Sequence, residues 1–468
     1  MKISCILVSI GAVLLAVACG KTDPSGGDTP AVAPTSITTS PTGLSAERTG
    51  GSFSLEVLSP TRPSVTSKPE WVSVQDGTYD SRTYKIVYKV NVQAYGEYGS
   101  REGEIVLSAG ALSAKVAVSQ KGYEKPDIIE SDIDTELVTS GATAGAQALY
   151  DYLLSQYGKA TVSAVTADVA WNTKIAQQVF QQTGKYPAIN CYDFIHIGVP
   201  KNSWIDYNDL TPVTEWAEAG GIVSLMWHFN VPLSETTEVK NDGSGMAFYS
   251  GKSTFKASNA LKDGTWESVW YKDQIGKVAD IILQLQERGI AAIWRPYHEA
   301  AGNYYAKNWK GSAWFWWGDE GPEVYKALWN DMFDFFAAKG IRNLIWVWTA
   351  QSFNGNPSGF DSDEPWYPGD DKVDVVARDI YGSTTAGVVQ EFSTLQNTYP
   401  HKMITLGECG HGDGDAPFPS LADAWDLGAK WSWFMPWGAS DGTMVGWNWM
   451  KAAFAQNYVV TRDQLPTI

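Results

Sequence analysis

The sequence predicts an α/β fold in which a (β/α)8 TIM barrel follows a small all-β sandwich of the immunoglobulin-like type. Three observations predict it. The chain of 468 residues is longer than one ordinary hydrophobic core accommodates. Residues 35–124 consist of short alternating segments separated by turn residues. Residues 137–468 contain eight apolar runs spaced by helix-sized segments, which is the pattern of a parallel barrel.

The first 18 residues are predicted to be a lipoprotein signal peptide rather than part of the fold. Lys2 precedes the apolar run Ile6–Val17, which is too short to span a membrane as a mature helix. The stretch Leu15–Gly20 resembles a bacterial lipobox, in which the cysteine, here Cys19, is lipidated after cleavage. The alternative is an ordinary signal peptide that has a cysteine at its cleavage site by chance.

A flexible tether is predicted at residues 19–34, because this stretch is polar and rich in Gly, Ser, Pro and Asp. The acyl chains on Cys19 would attach the protein to the bacterial cell envelope, at the outer membrane or the cell surface. We expect contact with a membrane only through this anchor. The sequence leaves open whether the protein faces the periplasm or the exterior.

Residues 35–124 are predicted to form the β-sandwich. The candidate strands are Ser52–Leu58, Trp71–Val74, Tyr84–Gln93, Glu102–Ala109 and Ala114–Gln120. Short motifs resemble those of a BACON domain, namely Gly50-Gly51, Pro69-Glu70-Trp71, Val90-Asn91-Val92, Arg101-Glu102-Gly103 and Val116-Ala117-Val118-Ser119-Gln120. The resemblance implies either carbohydrate binding or a spacer. We favour the spacer, because the one tryptophan of this segment, Trp71, is placed as a core residue. Residues 125–136, with Pro126 and several acidic side chains, form the predicted linker.

Eight apolar runs are the predicted strands of the barrel. They are Thr161–Val165, Pro187–Asp193, Gly221–His228, Ala291–Arg295, Asn343–Thr349, Val373–Tyr381, Met403–Glu408 and Lys430–Trp437. Such nearly continuous apolar runs are typical of parallel strands covered by helices. Between them, Gln274–Glu287 and Pro322–Lys339 repeat apolar residues at spacings of three and four, which indicates helices. In this fold the functional residues lie at the carboxyl ends of the strands.

Two glutamates occupy such strand ends. Glu299 follows the fourth predicted strand, and Glu408 ends the seventh on the opposite side of the barrel mouth. Double-displacement glycoside hydrolysis requires a protonated carboxyl that donates to the leaving oxygen and a carboxylate that attacks the anomeric carbon. The two groups should lie about 5–5.5 Å apart. The alternative is that either glutamate merely forms an ion pair, for which Arg295 is the obvious partner.

Several segments around both glutamates occur together in one enzyme family. They are Arg295-Pro296-Tyr297-His298-Glu299, Trp314-Phe315-Trp316-Trp317-Gly318, Gly407-Glu408, Gly184-Lys185-Tyr186-Pro187-Ala188, Trp227-His228, Gly264-Thr265-Trp266 and Asp379-Ile380-Tyr381. From residue 137 onward the chain thereby resembles glycoside hydrolase family 26 of clan A, which is best known for β-mannanases. The resemblance implies a retaining endo-β-1,4-mannanase that acts on mannan, glucomannan or galactomannan. In such an enzyme Glu299 would be the general acid/base and Glu408 the nucleophile.

The same resemblance implies five substrate-binding residues, which are His228, His298, Trp314, Tyr381 and Trp437. The two histidines would hydrogen-bond the reacting sugar, with His228 in the −1 subsite. Tyr381 would donate a hydrogen bond to the nucleophile, and the two tryptophans would form aromatic walls of the subsites. Each histidine or tryptophan has the alternative of being an ordinary core residue.

Two features depart from the family pattern. The stretch Ala300–Ala313 inserts additional aromatic residues between Glu299 and Trp314, and we expect it to remodel the rim of a subsite. Tyr297 stands where a smaller or apolar residue is more usual. Neither departure touches the two glutamates.

Composition and charge narrow the class of partner. A net charge of −17 argues against nucleic acid and anionic surfaces, which need clustered Lys and Arg. The 22 Trp and 22 Tyr residues suit the faces of sugar rings, which favours a neutral polymer as the partner. The family resemblance implies that this polymer is a β-mannan, and we expect the protein to be a monomer. We expect no cofactor and no metal, and Cys191 and Cys409 should be buried free thiols.

Other functions remain open at this level. The same mechanism would serve on mixed-linkage β-glucan or β-1,3-xylan, and the enzyme could release mannobiose in an exo mode instead. A different class is a non-catalytic surface lipoprotein that binds glycans. The sequence does not decide how well galactose branches are tolerated.

Overall fold

The structure, a computed structural model, describes residues 32–123, 132–168, 170–200, 204–302, 304, 313–351, 364–412, 415–439 and 442–467. The predicted signal peptide, Cys19 and most of the predicted tether and linker lie outside these residues. The chain divides into two units. One comprises the chain up to Tyr95 with Ser100–Lys121, and the other comprises Gly96–Gly99 and the chain from Gly122 onward. Among the described residues, no helix is both long and apolar enough to cross a membrane.

The first unit is a β-sandwich of two four-stranded sheets. Its strands are β1 (Thr38–Ser40), β2 (Gly43–Ala46), β3 (Gly51–Leu58), β4 (Ser64–Ser67), β5 (Val72–Gln75), β6 (Lys85–Val92), β7 (Ser100–Ala109) and β8 (Leu112–Lys121). One sheet has the order β1-β3-β6-β5 and the other β2-β8-β7-β4. Neighbouring strands are antiparallel except for the parallel pair β2 and β8. Every second residue of β6 is buried, as a half-buried strand requires, and the predicted all-β sandwich is confirmed.

Trp71 lies at the margin of the sandwich core and not in its centre. Its ring packs against the core and remains partly exposed. The Arg101 guanidinium lies 4.4 Å from the centroid of this ring and 4.4 Å from that of Tyr95. The same guanidinium donates to the Gln120 side chain. Arg101 therefore covers a face of Trp71 that a sugar ring would otherwise need.

The second unit contains the predicted barrel. Its eight strands are β9 (Thr161–Thr166), β10 (Ile189–Asp193), β11 (Ile222–Met226), β14 (Ala292–Arg295), β15 (Leu344–Gln351), β16 (Val375–Tyr381), β17 (Met403–Gly410) and β18 (Trp433–Pro436). Each is parallel to the next, and β9 pairs with both β18 and β10, which closes the barrel. Each of the eight predicted runs coincides with one of these strands, so the predicted (β/α)8 barrel is confirmed.

Short strands and helices complete this unit. The short strands are β12 (Val231–Pro232), β13 (Met246–Ala247), β19 (Gly438–Ala439), β20 (Gly442–Thr443) and β21 (Val459–Val460). The helices are α1 (Ala144–Gln156), α2 (Lys174–Thr183), α3 (Thr211–Glu218), α4 (Ala257–Ala260), α5 (Trp266–Glu287), α6 (Pro322–Ala338), α7 (Thr385–Thr398), α8 (Leu421–Asp426) and α9 (Trp447–Phe454). Short 3₁₀ segments lie at Trp316–Gly318, Glu364–Trp366 and Arg462–Gln464. Helix α5 begins earlier than predicted because the side chain of Thr265 caps it by accepting from Ser268 N–H.

Alternation along the strands divides the buried residues into two clusters. In β15, Ile345 and Val347 belong to the cluster inside the barrel, whereas Leu344, Trp346 and Trp348 belong to the cluster that packs against the helices. All eight residues of β15 are buried, because both faces of a parallel barrel strand are covered. The inward set continues to the carboxyl end of each strand, and this end forms the mouth.

Candidate active site

Inward alternation brings charged residues to the mouth of the barrel. In β16, Val375 and Ala377 line the interior, so Asp379 and Tyr381 lie on the same face at the carboxyl end. In β14, Ile293 lines the interior and Arg295 follows it two residues later. Asp379 and Arg295 are buried, and their hydrogen bonds must therefore be made to other groups of the protein or to a ligand.

A β-bulge at Gly407 turns Glu408 into the barrel. Leu406 pairs with Arg378, but Glu408 pairs with the next residue, Asp379, so Gly407 is the extra residue of β17. Leu406 and Cys409 both face the helices although they are three residues apart, which a regular strand does not permit. Without the bulge, Glu408 would share the outward face of Leu406.

Glu299 reaches the same mouth from the turn that follows β14. Its φ of +55° is unusual for a residue with a side chain, and its N–H donates to the Thr349 carbonyl of β15 at 2.9 Å. One carboxylate oxygen each of Glu299, Asp379 and Glu408 lies within 4.8 Å of the other two. An oxygen–oxygen distance of at most 4.8 Å between Glu299 and Glu408 is in line with the close carboxyl pair, about 5–5.5 Å, of retaining glycosidases and not with the roughly 6.5–9.5 Å of inverting ones.

Arg295 joins two of these carboxylates. Its Nη1 lies 3.1 Å from Asp379 Oδ2, and its Nη2 pairs with Glu408 Oε1. All three side chains are almost fully buried. The ion pair considered from the sequence therefore exists, and it supplies a charge-assisted hydrogen bond to the Glu408 carboxylate.

Tyr381 binds the other oxygen of Glu408. Its hydroxyl donates to Oε2 at 2.6 Å, as the sequence predicted. With Arg295 on Oε1, both oxygens of the Glu408 carboxylate have a donor, which fixes its plane. Burial and the nearby charges of Glu408 and Asp379 raise the pKa of the Tyr381 hydroxyl well above its ordinary value, so this group stays a donor.

The environment of Glu299 favours its protonated form. Burial, followed by the charges of Asp379 and Glu408, raises the pKa of its carboxyl well above the ordinary range, although Arg295 acts in the opposite direction. Burial and the charge of Glu408 likewise raise the pKa of Asp379 to about 8. A general acid needs this arrangement, in which one carboxyl keeps its proton beside another that is ionised.

The two predicted histidines face each other at the mouth. His228 Nε2 lies 3.2 Å from His298 Nε2, and the ring centroids are 4.5 Å apart. Asp193, at the end of β10, accepts from the backbone N–H of His228 at 3.0 Å and binds its Nδ1 at 2.6 Å. Burial, then the neighbouring His228 and Arg295, lowers the pKa of His298 well below its ordinary value, so that ring is neutral. Asp193 thereby sets the orientation of His228, and His228 that of His298.

The two predicted tryptophans take different positions. Trp437 lies just beyond β18 with its ring centroid 5.6 Å from that of His228. Trp314 packs against Gly302, where any side chain would collide with its ring, and it is partly exposed. By contrast, Trp316 and Trp317 are buried, and their indole N–H groups donate to the carbonyls of Phe229 and His298. Most of the aromatic insert, residue 303 and residues 305–312, lies outside the described part of the chain.

Two site residues were not singled out from the sequence, namely Asp193 and Asp379. Asp193 ends β10, and Asp379 lies two residues before the end of β16. Both are on the inward face, where Cys191 and Ala377 precede them by two residues. This inward register was the signal in the sequence that could have identified Asp193 and Asp379. Arg295 was considered only as a competitor for the glutamates, whereas it is part of their arrangement.

Three clustered carboxylates would also suit a divalent cation. Here the Arg295 guanidinium already occupies one oxygen of Asp379 and one of Glu408, so the protein itself supplies the compensating positive charge. The two cysteines of the barrel, Cys191 and Cys409, are buried free thiols, as predicted.

The closed barrel, the close pair of glutamates and the raised pKa of one of them define a retaining glycoside hydrolase. The chain belongs to glycosyl hydrolase family 26, which it matches over residues 138–464. The resemblance read from the segments around Glu299 and Glu408 is thus confirmed. The resemblance of residues 35–124 to a BACON domain stays a prediction.

Characterised relatives and solved structures agree with this assignment. A mannan endo-1,4-β-mannosidase of Thermothelomyces thermophilus is 32% identical over 381 residues, which are 78% of this chain and 72% of that enzyme. The family 26 domain of an endo-β-mannanase/endo-β-glucanase from Prevotella bryantii is 50% identical with a TM-score of 0.68, covering 71% of this chain and 99% of that domain. A β-mannanase from a symbiotic protist of the termite Reticulitermes speratus, solved with a gluco-manno-oligosaccharide, is 29% identical with a TM-score of 0.58, covering 73% and 100% of the two chains.

Proposed function

We propose that this protein is an endo-acting β-1,4-mannanase that cleaves mannan, glucomannan or galactomannan with retention of configuration. The observation that carries the proposal is the placement of the Glu299 and Glu408 oxygens within 4.8 Å across the barrel mouth. The choice of mannan is supported by the relatives, which include mannan endo-1,4-β-mannosidases and a β-mannanase solved with a gluco-manno-oligosaccharide.

The first step forms a glycosyl-enzyme. Glu408 attacks the anomeric carbon and forms a C–O bond, while the bond from that carbon to the glycosidic oxygen breaks. Glu299 transfers its proton to the departing oxygen. Arg295 and Tyr381 hold the two oxygens of the Glu408 carboxylate in place until it attacks.

The second step releases the sugar. A water molecule enters on the side that the leaving group has vacated, and Glu299, now ionised, removes its proton as the water oxygen bonds to the anomeric carbon. The ester bond to Glu408 breaks, and both glutamates return to their starting states. Two inversions at one carbon retain the β configuration.

The substrate-binding roles follow from position at the mouth. His228 and His298 contact each other at the mouth, where His298 directly precedes Glu299, and Trp437 contacts His228, so these three residues would bind the sugar at the −1 subsite. Trp314 would provide an aromatic wall of a neighbouring subsite, because its ring is partly exposed next to the turn that carries Glu299.

Product analysis tests this function. Konjac glucomannan, locust bean gum, barley β-glucan and β-1,3-xylan are incubated with the enzyme in parallel, and early products are examined by NMR. We expect oligosaccharides of mixed length from the first two substrates, released as β-anomers. Activity confined to the last two would overturn the mannanase assignment but leave the mechanism intact, and mannobiose as the sole early product would indicate an exo mode.

The Glu408→Ala variant separates an enzyme from a glycan-binding protein. We expect near-complete loss of hydrolysis because no nucleophile remains, and partial recovery with azide, which gives an α-mannosyl azide. Glu104→Ala is the matched control. It also removes a carboxylate that forms an ion pair, because Glu104 pairs with Lys115 on the exposed surface of the sandwich. Unchanged hydrolysis in Glu408→Ala would exclude the assigned nucleophile.

We also propose that Cys19 carries a lipid and that the sandwich acts as a spacer. The lipobox-like stretch Leu15–Gly20 supports the anchor. The covering of Trp71 by Arg101 supports the role of a spacer and speaks against a glycan-binding face. Palmitate labelling and membrane fractionation of the wild type and Cys19→Ala test the anchor. We expect label and membrane association in the wild type alone.

A further inference from the structure

The backbone that carries the acid/base is held in an uncommon conformation. Tyr297 has a φ of +48° and Glu299 one of +55°, a region that residues with side chains rarely occupy. Such a conformation persists only where the surrounding structure enforces it, and it is often enforced at a functional site. The question is which groups enforce it here.

Each of the three carbonyls in residues 297–299 accepts a hydrogen bond from a different part of the barrel. The donors, in chain order of the carbonyls, are the Tyr325 hydroxyl at 3.3 Å, the Trp317 indole N–H at 2.9 Å and the Gly302 N–H at 3.0 Å. Helix α6, the 3₁₀ segment and the following turn thus hold the peptide planes on either side of Glu299.

The side chain of Tyr297 adds a second attachment. Its ring is buried, and its hydroxyl donates to the Tyr271 hydroxyl of α5 at 3.2 Å. Tyr271, Tyr297 and Tyr325, which we call the tyrosine clamp, therefore connect the strained segment to two separate helices.

The clamp does not belong to the substrate-binding surface. Tyr271 and Tyr325 have no exposed surface, and both lie on helices that surround the barrel. Any effect on the reaction must therefore pass through the backbone of residues 297–299. Of the two glutamates, only Glu299 lies on this segment, since Glu408 is held by its own strand, Arg295 and Tyr381.

We propose that the tyrosine clamp positions Glu299 for proton transfer, so that Tyr271, Tyr297 and Tyr325 are positioning residues that act on the reaction through Glu299. The inference rests on the proposed role of Glu299 as general acid. Proton donation requires hydrogen-bond reach to the leaving oxygen, and small displacements at such a site reduce the rate strongly.

A comparison of leaving groups tests this role. The variants Tyr271→Phe and Tyr325→Phe each remove one hydroxyl of the clamp and keep the ring. The kcat/KM, which reports glycosylation of the enzyme, is measured for mannotetraose and for 2,4-dinitrophenyl β-mannobioside, whose leaving group needs no proton. We expect kcat/KM for mannotetraose to fall about tenfold in both variants and that for the aryl glycoside to stay within about twofold.

Tyr150→Phe is the matched control. Tyr150 is equally buried, and its hydroxyl also donates to a backbone carbonyl, that of Asp134, at 2.8 Å. It lies on α1, in contact with the cluster inside the barrel and away from Glu299. We expect a decrease in Tm similar to that of the clamp variants and an unchanged kcat/KM for both substrates.

Three results would overturn the proposal. One is an unchanged kcat/KM for mannotetraose in both clamp variants, and another is an equal loss for both substrates, which indicates general disruption. The third is an equal decrease in kcat/KM for both substrates in the Glu299→Ala variant, because the assignment of Glu299 as the acid then fails. If Glu299→Ala lowers kcat/KM for mannotetraose alone and the clamp variants do not lower it, the acid assignment stands and only the clamp proposal fails.

Discussion

At the scale of single residues, Asp379 connects the two glutamates electrostatically. It shares Arg295 with Glu408, and its charge is the largest electrostatic contribution, after burial, to the raised pKa of Glu299. A general acid is active only while protonated, so a raised pKa extends activity to higher pH. The alkaline limit of kcat/KM should therefore lie well above the ordinary carboxyl range.

Asp379→Asn tests this coupling. Because the pKa of Asp379 is about 8, its negative charge acts on Glu299 toward the alkaline end of the profile. The variant lacks this charge, so Glu299 loses its proton at lower pH there, and the alkaline limb of the kcat/KM profile should move to lower pH. The measurement is kcat/KM for mannotetraose between pH 4 and pH 9 at constant ionic strength. An alkaline limb that stays in place, or moves to higher pH, would show that Asp379 does not set the proton affinity of Glu299.

Asp193 should act on the reaction through His228. It accepts two hydrogen bonds from this residue and is the group that orients its ring. We expect Asp193→Ala to lower kcat/KM about 10- to 100-fold, because the ring loses its fixed orientation. A double-mutant cycle tests whether Asp193 acts through His228. In a His228→Ala background the further loss should be small, and a full additional loss would mean that Asp193 acts independently.

Residues at the mouth were predictable from sequence to different degrees. Glu408 and His228 end predicted apolar runs, and His298 and Glu299 follow one within four residues, so the ends of these runs pointed to them. Asp379 stands inside such a run and Asp193 ends one, and for both only the inward register of Ala377 and Cys191 identifies the carboxyl as a site residue. The contacts of Arg295 depend on three strands at once, so no local pattern contains them.

At the scale of elements, the bulge in β17 decides which way the nucleophile points. Gly407 is placed where a Cβ would lie 2.5 Å from Asp379 Oδ1 and 3.1 Å from the Ala377 Cβ. Strict alternation from Met403 would assign Glu408 to the outward face, and the bulge reverses that assignment. Periodicity could not reveal the bulge, although a glycine inside a strand is one of its known signs.

Gly407→Ala should therefore impair the site more than the fold. The added methyl displaces Asp379 or Glu408, and we expect kcat/KM to fall about 10- to 100-fold with a modest decrease in Tm. Gly276→Ala is the control, since Gly276 lies in α5 with open space around its Cβ position. That variant should keep full activity and gain up to about 1 kcal/mol of stability. Full activity in Gly407→Ala would show that Asp379 can move without consequence.

At the scale of the whole molecule, long elements were predicted better than short ones. All eight barrel runs became strands because burial on both faces makes them apolar throughout. The sandwich strands β1, β2 and β4 are only three or four residues long, and alternation over so few residues carries little information. Helix α5 was predicted too short, since its first turn buries the polar residues Glu267 and Ser268 while Val269 is exposed, and its start depends on the cap at Thr265.

The two units have separate hydrophobic cores, and this predicts an autonomous barrel. The buried sandwich cluster runs from Ile37 to Val118, whereas both buried barrel clusters lie within Leu137–Val460. A fragment from residue 132 to the end should therefore fold alone and keep kcat/KM for mannopentaose within about twofold of the full chain.

The rate on insoluble mannan shows whether the sandwich is a spacer or a glycan-binding module. If residues 35–124 are a spacer, the fragment should degrade it as fast as the full chain, whereas a selective loss on the insoluble polymer would identify the sandwich as a glycan-binding module. The fragment with Glu408→Ala gives the background rate, and a fragment that fails to fold would show that the barrel depends on the sandwich.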